Sequence, residues 1–265
     1  SNTIYNKVDD NTKQVIGQIQ TQKPIEVLFE GADIEKYCPL PKGSEQFPLS
    51  QIKEDFCYLF VGHWMHGEFG EDRKNVALLV KSFYETFKNK KKSPALILKA
   101  SQAGTSYMDR REIMERIKNL RNSVKAKRLP SVYLLHGELS DEEMNQLYNH
   151  SKVKAMVSLT KGEGFGRPLL EFSLTNKPII TTNWSGHTDF LNEEFTSLIN
   201  GEIRKLHPSS VIKDMLIPES GWFSPNPQEI NHYFKDVFEN YKKYQANSKR
   251  QGYKSRTEFS FDAMK

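Results

Sequence analysis

The residues of this chain best placed to do chemistry lie in one run, Lys161-Gly-Glu-Gly-Phe-Gly-Arg-Pro-Leu-Leu-Glu171. Gly162, Gly164 and Gly166 put three glycines into five residues, which lets backbone N–H groups approach an anion closely. Two carboxylates, Glu163 and Glu171, flank that site with seven residues between them. An ionised carboxylate only accepts hydrogen bonds, so its natural ligand partners are hydroxyls. Glycines also serve ordinary turns, but two carboxylates beside an anion site are hard to explain as packing. The chemistry implied is recognition of a phosphorylated, hydroxyl-rich ligand.

Such a run must be held by a strand before it and a helix after it. Residues 153–159 form an apolar stretch of the right length for a strand buried on both faces. Arg167 and Pro168 open a short helix with proline in its first turn, and Asn176 supplies its stop. Residues 178–181 read as the next buried strand and close a βαβ unit. Upstream, 56–61 read as a strand ended by Gly62, before a helix from Arg73 or Asn75 to Phe87. That helix carries the stripe Val76, Leu79, Val80, Phe83, Phe87. A strand at 95–100, a charged helix at about 109–127 and a strand at 132–135 follow, the last stopping at His136-Gly137. Ser140 and Glu143 have the spacing of a capping box for a helix reaching Tyr148. Alternation of this kind predicts an α/β, Rossmann-like, doubly wound and mostly parallel sheet.

Outside that frame the pattern is weaker. Residues 1–23 read as a polar segment or linker, with Val15, Ile16 and Ile19 spaced for a short amphipathic helix. Residues 25–29 read as a strand, 196–199 as an edge strand, and the proline-rich 201–227 as an irregular cover. Ile230, Tyr233, Phe234, Val237, Phe238 and Tyr241 mark a core-facing helix, followed by a polar lysine- and arginine-rich stretch and an apolar end. The predicted division is a polar segment at 1–23, a Rossmann-like domain at 24–245 and a tail helix at 246–265.

Composition narrows the class. The 265 residues are 37% hydrophobic and 27% charged, which suits a soluble globular protein. No apolar run approaches membrane-spanning length. Cys38 and Cys57 do not make a disulfide framework and are expected to pack as small hydrophobes in a reducing, cytoplasmic setting. A net charge of +5 is too mild to name a polyanionic partner, and Lys88, Lys90, Lys91 and Lys92 read as a solvated helix end. His63 and His66 are three apart but lack a third ligand at useful spacing, so no metal is expected.

The segment Glu163-Gly-Phe-Gly-Arg-Pro-Leu-Leu-Glu171 resembles the signature of retaining nucleotide-sugar glycosyltransferases of the GT-B type (glycosyl transferases group 1). Pro178-Ile-Ile-Thr-Thr-Asn-Trp-Ser-Gly-His-Thr-Asp-Phe-Leu191 is similar to the family's next strand and glycine loop. Pro24 to Pro39 is similar to its lead into the nucleotide-sugar domain, and Phe259 to Met264 to its last helix. The resemblance implies the C-terminal, donor-binding half of a GT-B fold, working with an N-terminal acceptor domain not represented here. It implies that Glu171 accepts from ribose hydroxyls and that Glu163 meets the transferred sugar. Backbone groups at Gly164, Phe165, Gly166 and Gly186 would address sugar and phosphate, with Ser185 and His187 as further donors, and Phe165 would fix the loop. Lys74 is implied as the diphosphate lysine, with Arg73 replacing an arginine the family places just after Gly62, where His63 stands. The loop after His136 would lie against the base. Transfer with retention needs no protein nucleophile, in keeping with the absence of a hydrolase-like serine elbow. No cofactor is implied beyond the nucleoside-diphosphate sugar as donor substrate; the acceptor is an unidentified glycan, lipid or small molecule. The alternatives are a non-catalytic nucleotide-sugar-binding module and a transferase modifying nucleic acid.

Overall fold

The computed structural model describes residues 3–21, 27–44, 46–65, 69–102, 104–206, 210–211 and 219–265. Thr3–Val8 (β1) and Val15–Thr21 (β2) pair as an antiparallel hairpin. This replaces the amphipathic helix expected there. The Asp9 carboxylate accepts from the N–H groups of Asn11 and Thr12 and closes the turn. Val15, Ile16 and Ile19 are β-branched and suit a strand, yet all three are more than half exposed. Of the strand expected at 25–29, residues 25 and 26 lie outside the described residues, and 27–29 are not strand. Instead Phe29 packs its ring on Phe165 and Phe259.

The main sheet begins with Cys57–His63 (β3), whose side chains alternate between two cores. Tyr58 and Phe60 face one, with Val76–Phe87 (α1) and Tyr107–Ser123 (α2); Cys57 and Leu59 face the other. Burial on both sides explains why this strand carries four fully buried apolar residues in a row. The strands Ala95–Ser101 (β4), Val132–Leu135 (β5), Val153–Ser158 (β6), Ile179–Thr182 (β7) and Ser197–Ile199 (β8) complete it. Their order is β5-β4-β3-β6-β7-β8 and every pairing is parallel. The doubly wound prediction therefore holds, with β8 at the edge. Strand β3 runs on through Gly62 to His63 rather than stopping at the glycine.

Asp141–Asn149 (α3) starts at Ser140, where both halves of the expected capping box are formed. Arg167–Ser173 (α4) has proline in its first turn, and Asn176 takes a left-handed φ of 59° beyond it. Gly201–Lys205 (β9) and Gly221–Pro225 (β10) pair antiparallel, so the expected irregular cover is built on a hairpin. Pro227–Glu239 (α5) buries Ile230, Phe234 and Val237, and the Tyr58 hydroxyl donates to the Phe234 carbonyl at 2.7 Å.

Tyr241–Glu258 (α6) is a helix over much of the stretch expected as a tail helix from 246, but it starts at Tyr241 and ends at Glu258. After α6 the chain makes a bridge from Ser260 to Ala32 and a 3-10 turn at Asp262–Met264, not a further helix. Two details explain how so polar a helix docks. The Gln251 side chain donates to the Phe190 carbonyl and accepts from the Asn192 N–H, both at 2.8 Å. Gly252 lies against Ser173 and Asn176 so closely that a Cβ there would overlap the Asn176 side-chain oxygen. Gly252→Ala is therefore expected to destabilise the fold by about 1–3 kcal/mol, whereas alanine at an exposed α6 position such as Lys242 should be close to neutral. Urea unfolding midpoints check this.

Candidate functional site

Strand order reverses between β3 and β6, and ligands of open α/β sheets bind outside the carboxyl ends of the strands at such a point. Two segments meet there: the residues leading from β3 into α1, and the glycine loop leading from β6 into α4. The Arg73 carbonyl accepts the Lys161 N–H at 2.9 Å. Arg73 Nη1 donates to the Gly162 carbonyl at 2.6 Å and to Glu163 Oε2 at 3.2 Å, and Lys74 Nζ donates to Glu163 Oε1 at 2.6 Å. The Glu163 side chain is only 8% exposed. Burial alone pushes its carboxyl upward, but the charge and hydrogen bond of Lys74, with help from Thr160 and Arg73, hold it below the usual range. Glu163 is thus a buried, ionised carboxylate under two cations.

A second glycine loop, after β7, clasps the first. Ser185 Oγ donates to the Glu163 carbonyl at 2.6 Å and accepts the Glu163 N–H at 3.0 Å. The Gly186 N–H reaches the same carbonyl at 3.2 Å. A Cβ on Gly186 would run into the Gly164 carbonyl, so only glycine permits this contact. Gly166 caps α4 at φ 95°, whereas an added Cβ on Gly164 would meet nothing within 4 Å. Gly164 is therefore the open point of the loop. The Phe165 ring packs between Phe29 and Phe190, which fits a residue that fixes the loop.

Ser185 and His187, expected to donate to a ligand, are engaged within the protein. Ser185 holds the main chain of Glu163. His187 is fully buried and sits 2.6 Å from the Thr182 carbonyl through Nε2, leaving Nδ1 without a partner among the described residues. Burial lowers its pKa, so the ring is neutral. A Cβ on Gly62 would come 3.2 Å from the Phe60 ring and 3.5 Å from the Lys74 side chain, so this position borders the space in which Lys74 lies. His63 turns its Nδ1 towards the Gln102 carbonyl, at 2.8 Å, and so does not stand in for an arginine. His66 lies outside the described residues. His136 follows β5 at the far edge of the sheet, two strands from β3, with Nε2 buried and unpartnered among the described residues.

Glu171 lies one turn into α4, nearly buried. Arg167 Nη2 and the Tyr148 hydroxyl approach its two oxygens at 3.4 Å each, both long for hydrogen bonds. Burial dominates over these partners and pushes the carboxyl up to about 7. Arg167 also lies 4.0 Å from Glu30, so it bridges two carboxylates. Neither Arg167 nor Tyr148 stood out in the sequence. The i,i+4 spacing of Arg167 and Glu171 on a helix was an available signal; nothing local marks Tyr148, which arrives from α3.

The profile of the family described as Glycosyl transferases group 1 matches residues 67–204, just over half the chain. No curated protein matches the sequence as a relative. Among solved structures, the chain is similar to the C-terminal domain of a glycosyl transferase group 1 family protein from Francisella tularensis. That match has a TM-score of 0.60 at 13% identity and covers 87% of this chain and all of that one. Anabaena HepE in complex with UDP-glucose gives 0.59 at 16% identity, covering 90% of this chain and 54% of its own. Sucrose-phosphate synthase from Thermosynechococcus elongatus gives 0.58 at 14%, covering 88% and 48%. The chain thus spans about half the length of the last two.

The raised carboxyl of Glu171 makes stability depend on pH. Its ordinary value is 4.5, so between 4.5 and about 7 the folded protein keeps a proton that the unfolded chain has lost. Stability falls as pH rises through that window, by on the order of 3 kcal/mol from this group. Glu171→Gln removes the titration, so the variant should gain on the parent from pH 5 to pH 7 and hold that gain above it. Denaturation at stepped pH values measures the difference; parallel curves for the two proteins would contradict it.

Proposed function

The chain belongs to the group 1 glycosyl transferases, and on that premise we propose that it is the donor-binding half of a retaining enzyme that moves a sugar from a nucleoside diphosphate. The observation that carries this reading is the convergence of Arg73, Lys74 and Glu163 at the carboxyl ends of β3 and β6, with Glu171 one turn into the following helix. Two adjacent cations at a reversal of strand order suit a diphosphate. A carboxylate beside them that is buried yet ionised suits the hydroxyls of a sugar.

In this reading the donor lies across the switch point. Lys74 and Arg73 take the diphosphate, where negative charge grows as the glycosidic bond breaks, and preplaced cations there lower the barrier. The N–H groups around Gly164 and Phe165 supply further donors from the open point of the loop. Glu163 accepts from the transferred sugar, and Glu171 accepts from the ribose once its proton is displaced. The base lies towards the loop after His136. An acceptor held opposite the donor loop, by a domain like the other half of a GT-B enzyme, attacks from the face the leaving group vacates. No side chain need form a covalent intermediate. Lys74 and Arg73 also do the work a bridging metal would do, so a chelator should leave donor binding unchanged.

Calorimetric titration of the chain with uridine, UDP and UDP-glucose (the donor present in one similar structure) tests the residue roles separately. Glu171→Gln should weaken all three ligands by about tenfold, since an amide is a poorer acceptor for two ribose hydroxyls. Lys74→Ala should weaken UDP and UDP-glucose by about tenfold or more while leaving uridine unchanged. Glu163→Gln should leave UDP no weaker, because it releases Lys74, and should weaken UDP-glucose. Parent-like binding of every ligand by all three variants would remove the donor reading and leave a fold without this site.

A further inference from the structure

The donor reading gives α6 no task beyond packing. The chain holds 38 lysines and arginines against 33 aspartates and glutamates. Six of the former and one of the latter lie in α6, so the remaining residues balance and the whole net charge of +5 belongs to this helix. Spread over the surface, such a charge is too mild to name a partner. Gathered on one element, it is not.

The helix sorts its residues by face. Ser248, Gln251, Gly252 and Ser255 are buried against the domain. Lys242, Lys243, Lys249, Arg250 and Tyr253 are exposed, and at about 100° per residue all five fall within an arc of about 120° opposite the buried four. Arg256 turns inward and donates to the Leu174 carbonyl at 2.9 Å, and Lys254 pairs with Glu258. Lys242, Lys243, Lys249 and Arg250 have no ion pair among the described residues. Asp236, which feels the charge of Lys243, is taken by the Tyr244 hydroxyl and Asn240. Glu193 and Glu194 are exposed on the loop beside the helix and form no ion pair with it. The Arg250 guanidinium lies 4.2 Å from the centre of the Phe195 ring, at an open cleft of about 570 Å³ that Lys249 and Tyr253 also line.

The form of this face selects among polyanions. Three of its four free cations are lysines, point charges without the fork that grips one phosphate bidentately. Its one aromatic side chain, Tyr253, is 68% exposed and offers no series of platforms for stacked bases. A layer of anionic headgroups needs neither. It is met by several separate cations on long stems, with a tyrosine ring at the level of the headgroups.

We propose that the outer face of α6 is a membrane-docking surface, which holds the protein on an anionic lipid bilayer through Lys242, Lys243, Lys249 and Arg250, with Tyr253 entering the headgroup layer. This goes beyond the donor reading and does not depend on it. The two sites are nevertheless joined. The helix leads into Phe259, whose ring packs on Phe29 and Phe190, and both of those pack on Phe165 of the donor loop.

Sedimentation of the full chain with vesicles of phosphatidylglycerol and phosphatidylcholine in equal parts, and with phosphatidylcholine alone, tests the proposal. At about 0.1 M salt the chain should partition onto the anionic vesicles at least about tenfold more strongly, and at about 1 M salt that preference should vanish. Lys242→Gln/Lys249→Gln/Arg250→Gln should lose about a hundredfold, about fivefold for each charge. Lys90→Gln/Lys91→Gln/Lys92→Gln removes the same charge from exposed positions beyond α1 and should bind as the parent does. Tyr253→Ser should weaken binding severalfold with every charge in place. All the changed side chains are exposed, and thermal melting checks that each variant folds as the parent does. Equal partition onto the two kinds of vesicle would overturn the proposal, as would equal loss in the two triple variants. So would release of the chain from anionic vesicles by duplex DNA at an equal concentration of phosphate, which would assign the face to nucleic acid.

Discussion

A buried carboxylate must be neutralised where it lies, and Glu163 meets that requirement with two cations from a different strand–helix connection. Removing a carboxylate from water costs several kcal/mol, and Lys74, itself only 14% exposed, is the partner that offsets most of this. The consequence is positional. Lys74 can reach Glu163 only if α1 starts where it does, and Asp72 helps to fix that start by accepting the Val76 N–H at 3.3 Å. The Glu163 main chain is in turn held by Ser185 and Gly186 from the loop after β7. Three connections at the carboxyl edge of the sheet are thereby registered against one residue.

The same pairing shapes the chemistry. Two adjacent cations, Arg73 and Lys74, would otherwise repel each other. Glu163 acts as their internal counter-ion and leaves the cluster with one net positive charge. Glu171 faces the opposite situation. Its nearest cation, Arg167, is well exposed and shared with Glu30, so burial prevails and the group holds its proton up to about 7. Two glutamates of one motif therefore carry different protonation states, set by how each is surrounded rather than by its place in the sequence.

The parts of this architecture legible in the sequence are those whose signals are local. The apolar run at Val153–Ser158, the capping box at Ser140 and the proline at the start of α4 each name their element without knowledge of anything distant. The glycine loops were legible for the same reason. What escaped depends on distant partners. A tail helix was expected from 246, but not how polar α6 docks, through Gln251 and a glycine fitted against Asn176, a surface match invisible in hydrophobic periodicity. The β9–β10 hairpin hides among prolines because its pairing spans the whole 201–225 segment. At the site, Glu163, Lys74 and Arg73 were identified from the motif resemblance. That Glu163 takes both cations itself, and that Ser185 and His187 are turned inward, required three dimensions.

The account rests on a nucleotide diphosphate occupying the crevice between the connections after β3 and β6. Amide hydrogen exchange with and without saturating UDP tests that most directly, because it reports location rather than affinity. The expected result is slower exchange in the peptides covering 72–76 and 161–171, with the β1–β2 hairpin and α6 unchanged. Protection confined to other segments, or none at a UDP concentration that saturates binding, would contradict it.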